Sequence, residues 1–272
     1  AAASLIEDRT LEDDGLEAVA AHLGITDRHL RRAFGAEFGV SPVEFAQTQR
    51  LLLAKRLLTD TALPVTEIAF ASGFGSLRRF NALFKQRYRL QPQQLRRHMR
   101  GAAVPAADAL NFELSFRPPY DWAAMSAFLG ARGIAGVEAL EGGRYRRTVR
   151  VSRDGKEHLG WVEVGPSPKK PALRVAVSAS LARVLPPVLS CVKALMDLAC
   201  NPTEVAQVLG ELAQKHRGMR VPGAFDGFEV AVRAILGQQV TVAAARTVAG
   251  RFAAALGDPI DTPFGALTTV FP

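Results

Sequence analysis

The sequence predicts a multidomain chain: an all-α domain built on a paired helix-turn-helix, then a small α+β domain, then the start of another all-α domain. Three observations carry this. The first is a repeat. Ala20-Ala21-His22-Leu23-Gly24-Ile25-Thr26, continuing to Leu30 and Phe34, matches Ala69-Phe70-Ala71-Ser72-Gly73-Phe74-Gly75-Ser76, continuing to Phe80 and Phe84. In each copy an apolar-faced helix ends at a glycine, a short turn follows, and a hydroxyl residue opens an Arg-rich helix. The register persists, with Phe38 against Tyr88 and Pro42 against Pro92. The second observation is a change to period-two alternation after Gly101 to Ala109 (GAAVPAADA), which reads as a linker. The third is the return of helical periodicity from Leu181 onward. The expected domains are 1–104, 110–200 and 201–272, with the linker at 101–109.

The elements follow in order. Leu16 to Leu23 forms the first helix of copy one. Thr26 caps the next, which turns Arg28, His29, Arg31 and Arg32 outward and Leu30, Phe34 and Phe38 inward. Gly39 stands where a left-handed residue ends that helix. Ser41-Pro42-Val43-Glu44 is a capping box with proline at the first helical position. It opens a long helix to Leu58, with Phe45, Leu52, Leu53 and Leu57 as core candidates. About 17 residues span about 25 Å, enough to hold two recognition helices roughly one DNA turn, ~34 Å, apart. Copy two has Ile68 and Ala69 inward, and Gln91-Pro92 opens a last helix. Strands are expected over Asn111 to Phe116, Tyr145 to Val151, His158 to Val164 and Leu173 to Ser178. Asp121 to Ala131 is a short helix with Trp122, Met125, Phe128 and Leu129 on one side. Further helices are expected over Leu181 to Ala199, Pro202 to Lys215, Phe225 to Leu236 and Thr241 to Leu256.

At 272 residues, 48% hydrophobic and 22% charged, the composition is that of globular domains. No apolar run approaches about 18 residues, so no membrane span is expected. Ala1 to Thr10 lacks a basic and an apolar signal region, which makes a cytoplasmic location the default. The formal net charge is +8, and it is localised. Arg78, Arg79, Lys85, Arg87, Arg89, Arg96, Arg97 and Arg100 lie between Phe70 and Arg100 with no acidic residue among them. Those eight equal the whole net charge. A solvated basic face is the bland reading, but on a helix-turn-helix phosphate contact is favoured. Cys191 and Cys200 fit no zinc or redox spacing and read as small buried residues. The five histidines are scattered, so neither a metal nor a cofactor is expected.

Residues from about 10 to 100 resemble the DNA-binding domain of the arabinose-regulator (AraC) family. Ile68-Ala69, Gly73-Phe74, Ser76, Phe80, Phe84-Lys85 and Pro92 carry the resemblance. The family's usual glycine is replaced by Arg89. A second block resembles the AlkA-like 3-methyladenine DNA glycosylase II family. Its pieces are Arg117-Pro118-Pro119-Tyr120-Asp121-Trp122, Asp197 to Pro202, Gly218 to Gly223, Phe228-Glu229 and Arg233 to Val240. The combination is similar to adaptive-response proteins that sense DNA methylation.

These resemblances imply a DNA-binding protein of the alkylation-damage response. A transcription-regulator domain would be joined to a glycosylase that excises alkylated purines, and the third domain would be the start of an all-α helix-hairpin-helix glycosylase domain. Double-stranded DNA is the implied partner, with RNA polymerase a further one. The DNA-binding residues would be Arg28, His29, Arg31, Arg32, Ser76, Arg78, Arg79, Asn81 and Lys85. Phe128 would line the base pocket, although side-chain physics alone favours core. Gln239, with Gln238, would stand at the wedge that fills the space of a flipped base; as a plain pair they read as an exposed helix start after Gly237. The family's catalytic aspartate and hairpin would follow Phe271-Pro272, so no catalytic residue is assigned and the 272 residues are expected to be inactive. Asp226, Glu229, Asp258 and Asp261 are expected in surface or capping roles. Two other readings stand beside this one. One is a regulator whose α+β domain senses a small molecule. The other is a complete enzyme with an unrecognised carboxylate.

Overall fold

Gly24 and Gly73 both take a positive φ, 67° and 86°, at the ends of helices. The computed structural model describes residues 2, 6, 15–61, 63–99, 108–153 and 155–272. Its helices begin with α1 (Gly15–His22), α2 (Asp27–Phe38), α3 (Pro42–Asp60), α4 (Val65–Ala71), α5 (Leu77–Tyr88) and α6 (Pro92–Met99). The turn after α1 is closed by Ile25 N–H to the Ala20 carbonyl and Gly24 N–H to the Ala21 carbonyl, both at 3.0 Å. The turn after α4 repeats the pair: Phe74 N–H to Ala69 at 3.0 Å and Gly73 N–H to Phe70 at 2.9 Å. This double bond pattern is the Schellman motif, which requires a left-handed residue at its centre. Each turn therefore fixes the angle at which the following helix leaves.

Each copy has its own core. Leu16, Val19, Ala20, Leu30, Phe34 and Ala46 cluster in the first. In the second, Phe74, Phe80 and Phe84 are buried and their rings stand 5.1 and 5.5 Å apart in sequence. Burying one such ring contributes roughly 1.5–3 kcal/mol. Helix α3 carries the expected capping box, and it buries Leu51, Ala54, Leu57 and Leu58. Leu52 is not a core residue: it is 51% exposed. One helical step of about 100° carries it off the stripe that begins at Leu51. Phe38 is also 46% exposed, its ring tilted against Phe34 at 4.4 Å and Phe45 at 5.7 Å.

The expected linker lies outside the described residues over 101–107, and Ala109 already begins a strand. The chain divides into Ala1–Leu110 with Ala182–Ser190, and Asn111–Leu181 with Cys191–Pro272. In the latter, except for the first two residues of β1, stand β1 (Ala109–Ser115), α7 (Trp122–Arg132), β2 (Glu138–Glu141), β3 (Arg144–Arg153), β4 (Lys156–Pro166) and β5 (Ala172–Ser178). They form a five-stranded sheet in the order β1-β5-β4-β3-β2. β3 and β4 pair as a long antiparallel hairpin from Tyr145↔Val164 to Arg153↔Lys156. Strand β2 was not expected, because four residues reading Glu-Ala-Leu-Glu hold too little alternation to announce a strand.

The segment after β5 departs from the single helix expected over 181–199. A 3-10 turn (Ala179–Val184) precedes α8 (Leu185–Leu195). The expected Pro202–Lys215 helix is broken into α9 (Pro202–Leu209) and α10 (Glu211–Lys215) by Gly210, at φ 55° and ψ −124°. Then come α11 (Gly227–Leu236), capped by Asp226, α12 (Val242–Leu256), capped by Thr241, and the short strands β6 (Asp258–Pro259) and β7 (Thr269–Val270). Ile134, Val137, Ala249, Ala253 and Phe271 form a core between these last elements and the end of α7.

A buried ionic network ties α11 to the sheet. Arg147 of β3 is 3% exposed and donates to Glu229 of α11 at 2.5 Å. Arg233, one turn along, donates to the same Glu229 at 2.7 and 2.9 Å and also to Glu138 of β2. The Tyr145 hydroxyl donates a hydrogen bond to Glu138. The Arg147 guanidinium also lies over the Phe225 ring at 4.4 Å. Glu229 is thus not the surface or capping residue the sequence suggests. Burial would raise its carboxyl pKa, but Arg147 and Arg233 outweigh that and hold it below the usual carboxylate range.

Removing one partner of such a pair leaves a buried charge uncompensated, at about 3–5 kcal/mol. Glu229→Gln is therefore expected to destabilise the sheet-bearing unit by about that amount. Because the folded carboxyl is the more acidic, its contribution is complete above the unfolded pKa of about 4.3 and is lost as pH falls through the lower folded value. Urea denaturation from pH 7 to pH 3 should show a steep acid limb in the native chain and a shallower one in the variant. Equal limbs would remove Glu229 from the network's energetics.

Candidate nucleic-acid interface

The Arg-rich helices of the two copies are prepared alike. Thr26 accepts from His29 N–H at 3.2 Å and Ser76 from Arg79 N–H at 3.5 Å, so both hydroxyls satisfy first-turn donors. At the far end, Gly39 (φ 70°) and Arg89 (φ 58°) each donate a backbone N–H to the carbonyl four residues back, at 2.9 Å. The repeat is therefore matched at both caps of α2 and α5, glycine or not.

On α5, Phe80 and Phe84 point inward, while Ser76, Arg78, Arg79 and Lys85 are exposed and Asn81 is half-buried. Arg78, Ala82 and Lys85 make an i, i+4, i+7 stripe turned away from the two phenylalanines. On α2, Arg28, His29, Arg31 and Arg32 are all exposed. There the charge is partly answered within the helix. Arg31 pairs with Asp27 at 2.8 Å, and Arg32 reaches the His29 ring at 3.4 Å. An exposed pair of this kind contributes at most ~1 kcal/mol, so Asp27 does not lock Arg31 away from a phosphate. No acidic side chain occurs on α5, and the second copy presents the stronger positive field.

A second group of expected site residues lies around α7 and the α11–α12 turn. Phe128 is 41% exposed, not core, and the Arg132 guanidinium covers its ring at 3.8 Å. Phe128 and Arg132 are one helical turn apart, which permits the stacking. Gln238 and Gln239 do not start a helix. They are exposed in the turn between α11 and α12, with Gln239 at φ 57°, and Thr241 is the residue that caps. Non-glycine residues at positive φ are uncommon and cluster at functional positions.

The signature blocks quoted from opposite ends of this half meet in space. Asp121 N–H donates to the Gly218 carbonyl at 2.8 Å. Buried Arg220 donates to the carbonyls of Pro119 at 2.9 Å, Cys200 at 3.1 Å and Arg117 at 2.5 Å. Burial drives the Tyr120 hydroxyl pKa upward, and the hydroxyl donates to the Met196 carbonyl at 2.8 Å. These groups hold chain to chain; they are placed for structure. The two cysteines are free and only partly buried. Among the described residues no group of three His, Cys, Asp or Glu side chains could hold a metal ion, and no helix is long and apolar enough to cross a membrane. Sequence reasoning missed Arg132, Arg147, Arg233 and Arg246 as a set, because they come from four separate elements.

Residues 19–98 match the family model of a helix-turn-helix domain, and residues 111–226 that of the AlkA N-terminal domain. The chain is 34% identical over 277 residues to a probable bifunctional transcriptional activator/DNA repair enzyme AlkA of Mycobacterium tuberculosis, covering 98% of this chain and 55% of that protein. It is 39% identical over 150 residues to the DNA-3-methyladenine glycosylase 2 of Escherichia coli, covering 55% and 52%. Over 91 residues it is 33% identical to the HTH-type transcriptional activator RhaS of Salmonella arizonae, covering 34% and 33%. The chain spans about half the length of the first two of these relatives.

The conformation at Arg89 gives a direct test of the cap. A side chain in the left-handed region costs on the order of 1 kcal/mol relative to glycine. Arg89→Gly is expected to raise the stability of the helical unit by up to about 1 kcal/mol, measured by denaturant titration. Gly39→Ala, whose added Cβ meets nothing within 4 Å, is expected to lower it by a similar amount through backbone strain alone.

Proposed function

From a chain that joins an AraC-type helix-turn-helix domain to an AlkA N-terminal domain, and is homologous to bifunctional activator and repair proteins, we propose a DNA-binding protein of the alkylation-damage response. Its helical unit engages duplex DNA through α2 and α5, with Arg28, Arg31, Arg32, Arg78, Arg79 and Lys85 on phosphates or base edges. His29, Ser76 and Asn81 complete that surface. RNA polymerase is the further partner that an activator requires. The observation that carries the proposal is the pairing of two identically capped helices whose outward faces are arginine-rich.

The second half is read as the front part of a glycosylase for alkylated purines, in which Phe128 faces the base and Gln238 and Gln239 stand at the wedge. The exposure of Phe128 and the strained turn at Gln239 support that reading. Residues 201–272 are read as the start of an all-helical domain. In support, Val208 is 85%, Leu212 65%, Ile235 66% and Leu256 63% exposed, large apolar side chains that further helices would cover.

Arg78→Ala with Arg79→Ala is expected to weaken binding to a 30-bp duplex and to flatten its salt dependence by about one unit for each phosphate no longer neutralised. Fluorescence anisotropy across a salt series measures both. An unchanged slope would contradict phosphate contact by these side chains.

Excision by the 272 residues alone is not expected. Glu229 is committed to Arg147 and Arg233, Asp226 caps α11, and Asp258 pairs with Arg150 at 2.5 Å. Only exposed Asp261 is left of the four, and losing a group that stabilises the transition-state charge costs about a hundredfold or more. The assay is release of 3-methyladenine from methylated duplex DNA. Release that is abolished by Asp261→Asn would overturn this assignment of the carboxylates.

A further inference from the structure

Arg132, Arg233 and Arg246 come from three helices to line one cleft of about 190 Å³, together with Gly237, Val240, Val242, Ala245 and Ala249. Their hydrogen bonds divide them. Arg233 is spent: it donates to Glu229, to Glu138 and to the Arg132 carbonyl at 2.8 Å. Arg246 uses one nitrogen, Nε, which donates to the Gly133 carbonyl at 3.2 Å. Its terminal guanidinium nitrogens have no protein partner among the described residues. Arg132 rests on the Phe128 ring and likewise has no hydrogen-bond partner for its guanidinium among them. The nearest carboxylates, Glu138 and Glu229, are answered by Arg147 and Arg233. The cleft therefore keeps two uncompensated cations over an apolar floor of valine and alanine.

We propose that this cleft binds a phosphodiester of a DNA strand beside the Gln238-Gln239 turn. This rests on the reading of the second half as a DNA-engaging unit, and it adds a backbone contact to it. Three features select the ligand class. Two guanidinium forks with free donors suit the bidentate geometry of a phosphate oxygen pair. The volume is below the ~300 Å³ at which pockets for larger ligands begin, which suits one small anionic group. The floor of Val240, Val242, Ala245 and Ala249 favours a diester, which carries carbon on both sides, over a free phosphate dianion. Arg246 holds the Gly133 carbonyl just past the end of α7, so the same residue that receives the phosphate also sets the end of the helix bearing Phe128.

The test uses the full chain and two small probes, dimethyl phosphate and inorganic phosphate, followed by ¹H–¹⁵N correlation spectra. Dimethyl phosphate is expected to produce saturable shifts at Gly133, Gly237, Val240 and the Arg246 Nε–H, with inorganic phosphate weaker by several-fold. Arg246→Gln should abolish saturation at the three backbone sites, and Arg246→Lys should restore it in part. Absence of saturable shifts in the native chain, or saturation that persists in Arg246→Gln, would overturn the site. Tighter binding of inorganic phosphate than of the diester would overturn the assignment to a DNA backbone. A 12-bp duplex added to Arg78→Ala/Arg79→Ala protein should shift the same cleft resonances. No shift there overturns the inference, while weaker affinity in that variant reports separately on the helix-turn-helix reading.

Discussion

The Arg147–Glu229 contact is the constraint on which the second half of the molecule depends. It joins a central strand to a helix more than eighty positions later in the chain, and it is buried on both sides. Neither charge could be buried alone, because desolvating one ion costs several kcal/mol. Each is therefore tolerated only with the other in place. Glu138 and Arg233 extend the arrangement, so that β2, β3 and α11 share one set of compensated charges. The carbonyl of Arg132 is bound into the same set through Arg233. The end of α7, the edge of the sheet and the turn that follows α11 are thus fixed by a single ionic cluster. A second tie runs parallel to it: Arg150 holds Asp258, Glu157 and the Phe271 carbonyl, and Thr148 donates to the Thr269 carbonyl.

In the helical unit the corresponding constraint is backbone geometry rather than charge. Two Schellman turns set two interhelical angles, and the glycines at 24 and 73 are what permit them. The hydroxyls of Thr26 and Ser76 then start the next helices. One extra residue, Gly75, separates turn from cap in the second copy, and the hydrogen bonds on either side of it are unchanged. The αL end tolerates Arg89 because its cost, on the order of 1 kcal/mol, is small beside the burial of Phe74, Phe80 and Phe84.

The arginines of the sheet and those of α5 stand in different surroundings. Within the sheet, Arg144, Arg146, Arg147 and Arg150 are all paired with carboxylates. On α5 there is no acid to pair with, and in the cleft at the end of α7 the acids are already used. The same residue type therefore does two jobs, and the number of carboxylates within reach decides which.

Local chemistry was enough to determine the first half. Caps, Schellman glycines, the capping box at Ser41 and the inward phenylalanines act within one or two helical turns, so their pattern is written along the chain. The alternation of β1, β3, β4 and β5 was legible for the same reason, as was the capping role of Asp226. What the sequence could not contain is proximity between distant residues. Glu229 read as an ordinary surface acid because nothing within four residues reveals Arg147. Phe128 read as core because its outward direction depends on the packing of α7. Leu52 read as core because three consecutive leucines do not say which one faces in. The resemblance of two blocks to known families placed the candidate residues, but only the folded chain set Arg132, Arg233 and Arg246 around one space. Side-chain type and short-range hydrogen bonding are properties of the sequence. Burial of a charge is decided only when elements far apart in the chain supply its counterion.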